Sequence, residues 1–338
     1  MVDSDLVFEG TCGSSRPNAS ELLPVVARKL FCFADRMDGF SIARFEAGPN
    51  DDPLILLDNL AHWPRNNFSP FLNREDYLRF EAMMESNNRT MDAGEAKYKI
   101  IHFRRGDFIE VNLGQVARQP IPVQPLGADH YLLCAQHYSD EGKNNENGIV
   151  VDRGGNVVER FRIGTAVEAM KTTKNGNVWT CYSDEGVFSD DPISKKIVAC
   201  FDRHGKHLYP DEYNGVFDYW CNNINVESDD SVWFSPTMTG LVQVENFAVK
   251  TISAEQQAEI GAFAIYGERA LWAPFQQGLM SVAPFVISNL QTSENKFFQA
   301  VDDDGQVIKH EYYAACGSRL YFVANHDVYV IDLKDVQI

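Results

Sequence analysis

Two identical pentapeptides, Tyr-Ser-Asp-Glu-Gly at Tyr138–Gly142 and again at Tyr182–Gly186, set an Asp-Glu pair before a glycine twice in one chain. An amide cluster, Asn222, Asn223 and Asn225, follows them. Carboxylates and amide carbonyls are hard oxygen donors of the kind Ca²⁺ takes. Two carboxyls held together push their pKa values apart, which suits acid–base chemistry. The plainest use is structural. Asp shapes a loop by accepting backbone N–H groups, Gly takes a positive φ, and Glu stays in water. A turn is needed in every repeat and a catalytic group only once, so the duplication favours the structural use.

Other reactive patterns are missing from the sequence. The eight histidines are scattered, with no His-x-x-x-His pair. No Gly-x-Ser-x-Gly elbow or phosphate-binding glycine loop occurs. The seven cysteines contain no Cys-x-x-Cys, and their strand-like settings predict buried free thiols in a reducing compartment. A net charge of −18, with no basic run longer than a pair such as Arg104-Arg105, argues against nucleic acid, which needs clustered Lys and Arg. It fits an acidic soluble surface, or a cationic ligand, a basic partner or a divalent metal. No apolar run reaches membrane-spanning length. Met1–Gly10 carries acids and no basic stretch, so no signal peptide and a cytoplasmic location are expected.

The elements that would position these residues are repeats. The two pentapeptides lie 44 positions apart, close to the roughly 40–50 residues of one β-propeller blade. Asp-x-x-Gly between apolar runs occurs at Asp152–Gly155, Asp202–Gly205 and Asp302–Gly305, as if a copy near residue 252 were lost. Asp followed by Gly at positive φ is a hairpin signature. Six short apolar strands follow polar turns: 54–57, 131–134, 178–181, 232–234, 271–273 and 320–323. Trp179, Trp233, Trp272 and Tyr321 share one position in them, which predicts core between blades. The expectation is an all-β, six-bladed β-propeller occupying the whole chain as one domain. A seventh blade would have to lie within residues 20–60. The last repeat has only three strands, so an N-terminal strand, Leu6–Phe8 or Lys29–Ala34, should close the ring. Apolar spacing of three and four over 73–88 predicts an amphipathic helix inserted in the first blade. Pro284–Lys296 reads as a polar loop.

In this strand order, the second-to-third loops and the blade-to-blade connections share one face, and first strands line the channel. Both pentapeptides fall in second-to-third loops. The candidate ligand-binding residues are therefore Asp140, Glu141, Tyr182, Asp184, Glu185, Asn223 and Asn225, with a small molecule or protein as partner. A divalent ion would take Asp184, Glu185, Asn223 and Asn225. Strand alternation aims either Asn223 and Asn225, together with Cys221, or Asn222 at the channel.

The stretch Val178–Phe188 with Val198–Gly205, and Pro122–Leu126 before it, resembles an uncharacterised group of bacterial six-bladed propeller proteins over about residues 120–250. More distantly, the blade pattern is similar to NHL and SMP-30/gluconolactonase-like propellers. The latter resemblance implies a Ca²⁺-dependent lactone or ester hydrolase with ligands at the channel mouth, although the family's ligands find no residue-by-residue match here. The two readings are thus a binding propeller with an acidic rim and a metal-dependent hydrolase.

Overall fold

The structure is a computed structural model describing residues 22–337 apart from 63–73, 115, 117–119, 136–145, 211–216, 218–219, 238–239, 253–259, 275–283 and 293. Two strands come first, β1 (Leu23–Val26) and β2 (Arg28–Cys32). Blade 1 is β3 (Ser41–Gly48), β4 (Asp52–Asp58), β5 (Tyr98–Arg104) and β6 (Asp107–Leu113). Blade 2 is β7 (Pro120–Leu126), β8 (His130–Ala135), β9 (Gly148–Asp152) and β10 (Val157–Phe161). Blade 3 is β11 (Val167–Thr172), β12 (Val178–Tyr182), β13 (Val198–Phe201) and β14 (His207–Tyr209). Blade 4 is β15 (Cys221–Val226), β16 (Ser231–Pro236), β17 (Val242–Glu245) and β18 (Ala248–Ile252). Blade 5 is β19 (Ile260–Tyr266), β20 (Arg269–Pro274), β21 (Phe285–Asn289) and β22 (Asn295–Val301). Blade 6 is β23 (Tyr312–Cys316), β24 (Arg319–Ala324) and β25 (Asp327–Asp332).

These strands form six sheets, and the first strands touch in a closed ring from β3 through β7, β11, β15, β19 and β23 back to β3. The protein is a six-bladed β-propeller. All six apolar runs read from the sequence are second strands. They are sandwiched between neighbouring blades, so β4, β12 and β16 are buried at every position and read as unbroken apolar segments. Outer strands such as β10 keep one wet face. Trp179, Trp233, Trp272 and Tyr321 are all buried in the inter-blade packing.

The ring is closed by β2, which pairs antiparallel with β25 as the fourth strand of blade 6. This matches the expected Lys29–Ala34 closure; Leu6–Phe8 lies outside the described residues. An unforeseen second stitch precedes it. Strand β1 adds to blade 5 as a fifth strand, parallel to β22. One segment therefore spans two blades, with Ala27 between its strands donating N–H to the Val301 carbonyl at 2.8 Å. Pairing both blade edges removes open hydrogen-bonding groups that would otherwise recruit other strands.

The inserted helix α1 (Arg74–Asp92) lies between β4 and β5. Its expected apolar face does not pack into the described core: Tyr77 and Leu78 are exposed and Met91 is its one buried residue. Same-face ion pairs, Glu75–Arg79 and Glu85–Arg89, support it instead. Asn87 ties it to the body by exchanging two hydrogen bonds with the Ala61 backbone.

The Asp-x-x-Gly turns share one geometry. In each, Asp Oδ1 accepts the N–H two and four residues ahead, and Gly has a φ near +78°: +78° at Gly155, +79° at Gly205 and +77° at Gly305. Their blade positions differ. The first two join third to fourth strands, whereas Asp302–Gly305 follows the fourth strand β22. The corresponding turn of blade 4 is Asn246-Phe247, both at positive φ, so no copy is lost there. Pro284–Lys296, expected as a polar loop, contains β21 and the start of β22. Phe285, Ile287 and Ser288 are buried while Val286 and Asn289 are half-buried, a strand obscured in the sequence by Ser and Asn.

A β-carbon at Gly155 would meet the Asn112 carbonyl of blade 1 at 2.1 Å, and one at Gly205 would meet the Phe161 ring of blade 2 at 2.3 Å. Nothing surrounds Gly305 within 4 Å. These two turns are thus seats for the preceding blade. Gly155→Ala should cost about 2 kcal/mol by adding overpacking to backbone strain, against about 1 kcal/mol for Gly305→Ala. Urea denaturation of the two variants checks the difference; equal costs would remove the seating role.

Candidate functional site at the channel mouth

Antiparallel order places the first-to-second and third-to-fourth turns on one face. The second-to-third loops and the blade connections lie on the other. The second pentapeptide is on this latter face. It forms a one-turn helix, α2 (Asp184–Val187), directly after β12. Asp184 and Glu185 are exposed, and Asp184 Oδ1 accepts the Glu185 N–H at 2.9 Å. Gly186 is not at positive φ as expected. It is required by close approach, since a β-carbon would sit 2.6 Å from the Thr165 carbonyl. Tyr182 faces the core: its hydroxyl donates to the Ile163 carbonyl at 2.7 Å and accepts from Thr180. The other copy, with Asp140 and Glu141, lies outside the described residues.

A cavity of about 270 Å³ lies in the channel between the first strands. Its wall includes Arg44 and Glu46 of β3, Lys171 of β11, Asn223 of β15, and Glu311 and Tyr312 at the start of blade 6. Five of the six first strands carry a register break near their outer end, between Ile42 and Arg44, Pro120 and Val123, Val167 and Ala169, Cys221 and Asn223, and Ile260 and Ala262. A bulge places two residues against one and re-aims a side chain. In blade 3 the extra residue is Glu168, which sequence alternation did not single out. It is exposed at the mouth and surrounded by charges. Although the side chain reaches solvent, loss of hydration against the surrounding protein is the largest influence and raises its carboxyl above the ordinary range; Arg44 opposes this, and the carboxylates of Asp184 and Glu185 add to it. Glu168 thus shares its surroundings with Arg44 of the cavity wall and with Asp184 and Glu185 of the loop after β12.

The bulge at Asn222 also breaks the alternation expected for blade 4. Asn223 lines the cavity, but Cys221 is packed in the core between blades 3 and 4 rather than beside it. Asn225 is fully buried, and its amide donates to the Phe263 carbonyl of blade 5 at 2.6 Å and the Gly317 carbonyl of blade 6 at 3.1 Å. It fastens three blades.

A matching clamp joins the other three. Glu46 of blade 1 pairs with Lys171 of blade 3 at 2.7 Å and with Arg44 at 2.8 Å, and accepts from Gln124 of blade 2 at 3.2 Å. Burial pushes the Glu46 carboxyl up, but Lys171 and Arg44 outweigh it and hold it below the usual carboxylate range.

Of the oxygen donors suggested for Ca²⁺, Asn225 gives its amide N–H groups to backbone carbonyls and leaves its Oδ1 buried without a partner among the described residues, while Asp184 and Glu185 are exposed on the loop after β12. Among the described residues, no three His, Cys, Asp or Glu side chains converge as metal ligands. Cys134, Cys181, Cys200, Cys221 and Cys316 are buried free thiols, as expected, whereas Cys32 is exposed. No helix among the described residues is long and apolar enough to cross a membrane.

No family model and no curated protein matches the chain. Among solved structures it is similar to the computationally designed Ika8 protein, at 11% identity and TM-score 0.44, covering 94% of this chain and 76% of that one. It is also similar to Hsv2 of Kluyvelomyces marxianus, at 10% identity and TM-score 0.44, over 87% and 77% of the two chains. A form of KlHsv2 with loop 6CD replaced by a Gly-Ser linker shows 8% identity and TM-score 0.45, over 87% and 78%. None of the three lends this chain a ligand or an activity. What stands is a six-bladed β-propeller with a charged, bulge-shaped cavity at one channel mouth.

Proposed function

We propose that the protein is a binding scaffold whose channel mouth holds a cationic group, an amine or guanidinium borne by a small molecule or a basic protein segment. The propeller fits such a role, because its rigid ring presents loops from six blades on one face. The observation that carries the reading is that Glu168, Asp184 and Glu185 are exposed carboxylates on the face where the cavity opens, with Ala169, next to Glu168, on the cavity wall. A cation there relieves like-charge repulsion and is favoured electrostatically. Tyr312 is on the cavity wall, and an aromatic ring beside a bound cation adds a cation–π contact.

The test is calorimetric titration with spermidine and with a lysine-rich peptide. Binding should weaken as salt rises. It should fall about tenfold in the triple variant Glu168→Gln, Asp184→Asn, Glu185→Gln, consistent with charge-assisted contacts. It should also weaken with acidification at a higher pH than an ordinary carboxylate would give, because the Glu168 carboxyl is raised. No binding of either probe at low salt sinks the reading. Stoichiometric Ca²⁺ lost on Asp184→Ala together with lactone hydrolysis would replace it with the hydrolase.

A further inference from the structure

The opposite face carries a different charge. A cleft of about 280 Å³ opens between blades 6 and 1, beside the β2 closure. Four arginines reach it, Arg28, Arg104, Arg105 and Arg319, in a chain whose net charge is −18. The acids of the cleft are already engaged. Asp51 pairs with Arg319 at 2.9 Å, and Asp52 lies 3.0 Å from His102 and 3.8 Å from Arg104. Arg319 is also held by Asp332 at 2.9 Å. Arg28 and Arg105 are exposed and have no ion-pair or hydrogen-bond partner among the described residues. The cleft therefore has local positive charge left over.

Two further features point to an incoming acceptor. Tyr321 is on the cleft wall and 1% exposed, and its buried hydroxyl has no acceptor for its proton among the described residues, only the donor Arg319 beside it. Its neighbour Arg319 can only donate, so the Tyr321 proton lacks an acceptor, a state that costs free energy when buried. Arg105 sits in the two-residue β5–β6 turn at φ +55°, followed by Gly106 at +91°. Asn, Asp or Gly suits that position, and a long arginine does not. A residue kept in an unfavourable backbone conformation is a sign of a use for its side chain.

We propose that this cleft binds a phosphate monoester, with Arg28 and Arg105 on the phosphate oxygens and the Tyr321 O–H as a third donor. Guanidinium forks match phosphate geometry, and two of them together with a hydroxyl can satisfy a three-oxygen dianion. The cleft is larger than a bare phosphate. Its remaining wall, Leu30, Pro53, Phe103 and Val330, gives the ester substituent an apolar surface. This site is independent of the cationic site proposed at the other mouth.

The test uses the full chain and two kinds of probe. Phenyl phosphate is titrated calorimetrically at low ionic strength, and phosphatidylcholine vesicles with and without phosphatidic acid are tested by co-sedimentation. Arg28→Ala with Arg105→Asn should weaken binding at least tenfold, and Tyr321→Phe several-fold. Arg105→Asn alone should melt no lower than the parent, because Asn suits the positive φ. That separates lost binding from lost fold. Binding to phenyl phosphate alone assigns a free ester, and binding to phosphatidic acid vesicles a lipid headgroup. The proposal is overturned if neither probe binds, or if the double arginine variant binds as well as the parent.

Discussion

Lys171→Met should destabilise the protein by about 3–5 kcal/mol, because it leaves a buried carboxylate without its closest partner. Glu46 is 4% exposed and Lys171 7% exposed, and their 2.7 Å contact spans blades 1 and 3. Arg44, at 2.8 Å, remains with Glu46 after the substitution but is itself partly open to solvent. Taking both charges away is a different experiment. Glu46→Gln with Lys171→Met keeps an amide for Gln124 and removes the unpaired charge, so it should recover at least half of the loss. Urea denaturation with an unchanged slope measures both values. A single-variant cost within about 1 kcal/mol would mean that the pair behaves like a surface contact and that the clamp is not what holds the channel closed.

The second large effect is acid sensitivity arising from one histidine. His310 is 1% exposed and packed against Phe285 and Phe322, with ring centroids at 4.7 and 5.5 Å. Its Nδ1 is hydrogen-bonded to the Tyr313 hydroxyl. Burial lowers its pKa from 6.5 to about 4. Below 6.5 the unfolded chain takes up a proton that the folded chain refuses, so stability falls as pH drops from about 6.5 to about 4. That shift corresponds to a loss of up to about 3 kcal/mol across this window. Glu46 adds a separate loss at lower pH. Its folded pKa is depressed, so its contribution is present above the unfolded carboxylate value and vanishes as pH falls through the folded one. In His310→Leu the slope between 6.5 and 4 should flatten, whatever the baseline cost of leaving the Tyr313 hydroxyl without its hydrogen-bond partner. A slope unchanged from the parent would assign the acid sensitivity to other groups.

His310 also shows where sequence reading stopped. A histidine set alone beside a turn signal reads as a surface residue, yet this one is enclosed by aromatic rings from blades 5 and 6. The same holds for Glu168. Its importance arises from a one-residue bulge, and a bulge exchanges the faces of every residue beyond it. Strict alternation therefore misplaced Cys221. The Pro284–Lys296 segment was missed for another reason: Ser288, Asn289 and Asn295 have poor strand propensity, and packing of Phe285 and Ile287 overrides it.

What the sequence determined by itself was local and repeated. Second strands buried on both faces must be continuously apolar, and hairpins that reverse tightly need Asp before a glycine at positive φ. Those two requirements, recurring at blade spacing, were enough to read a six-bladed propeller closed by an N-terminal strand, and the structure chose Lys29–Ala34 over Leu6–Phe8 as its place. What only the tertiary structure decided was convergence. Glu46 meets Gln124 and Lys171, the latter 125 positions away, and Asn225 meets carbonyls 38 and 92 positions away. Arg28 and Arg105 share a cleft because β2 closes the ring next to blade 1. No local pattern encodes such pairs. They depend on the angle at which six twisted sheets pack and on the register each bulge sets, and both are properties of the closed ring.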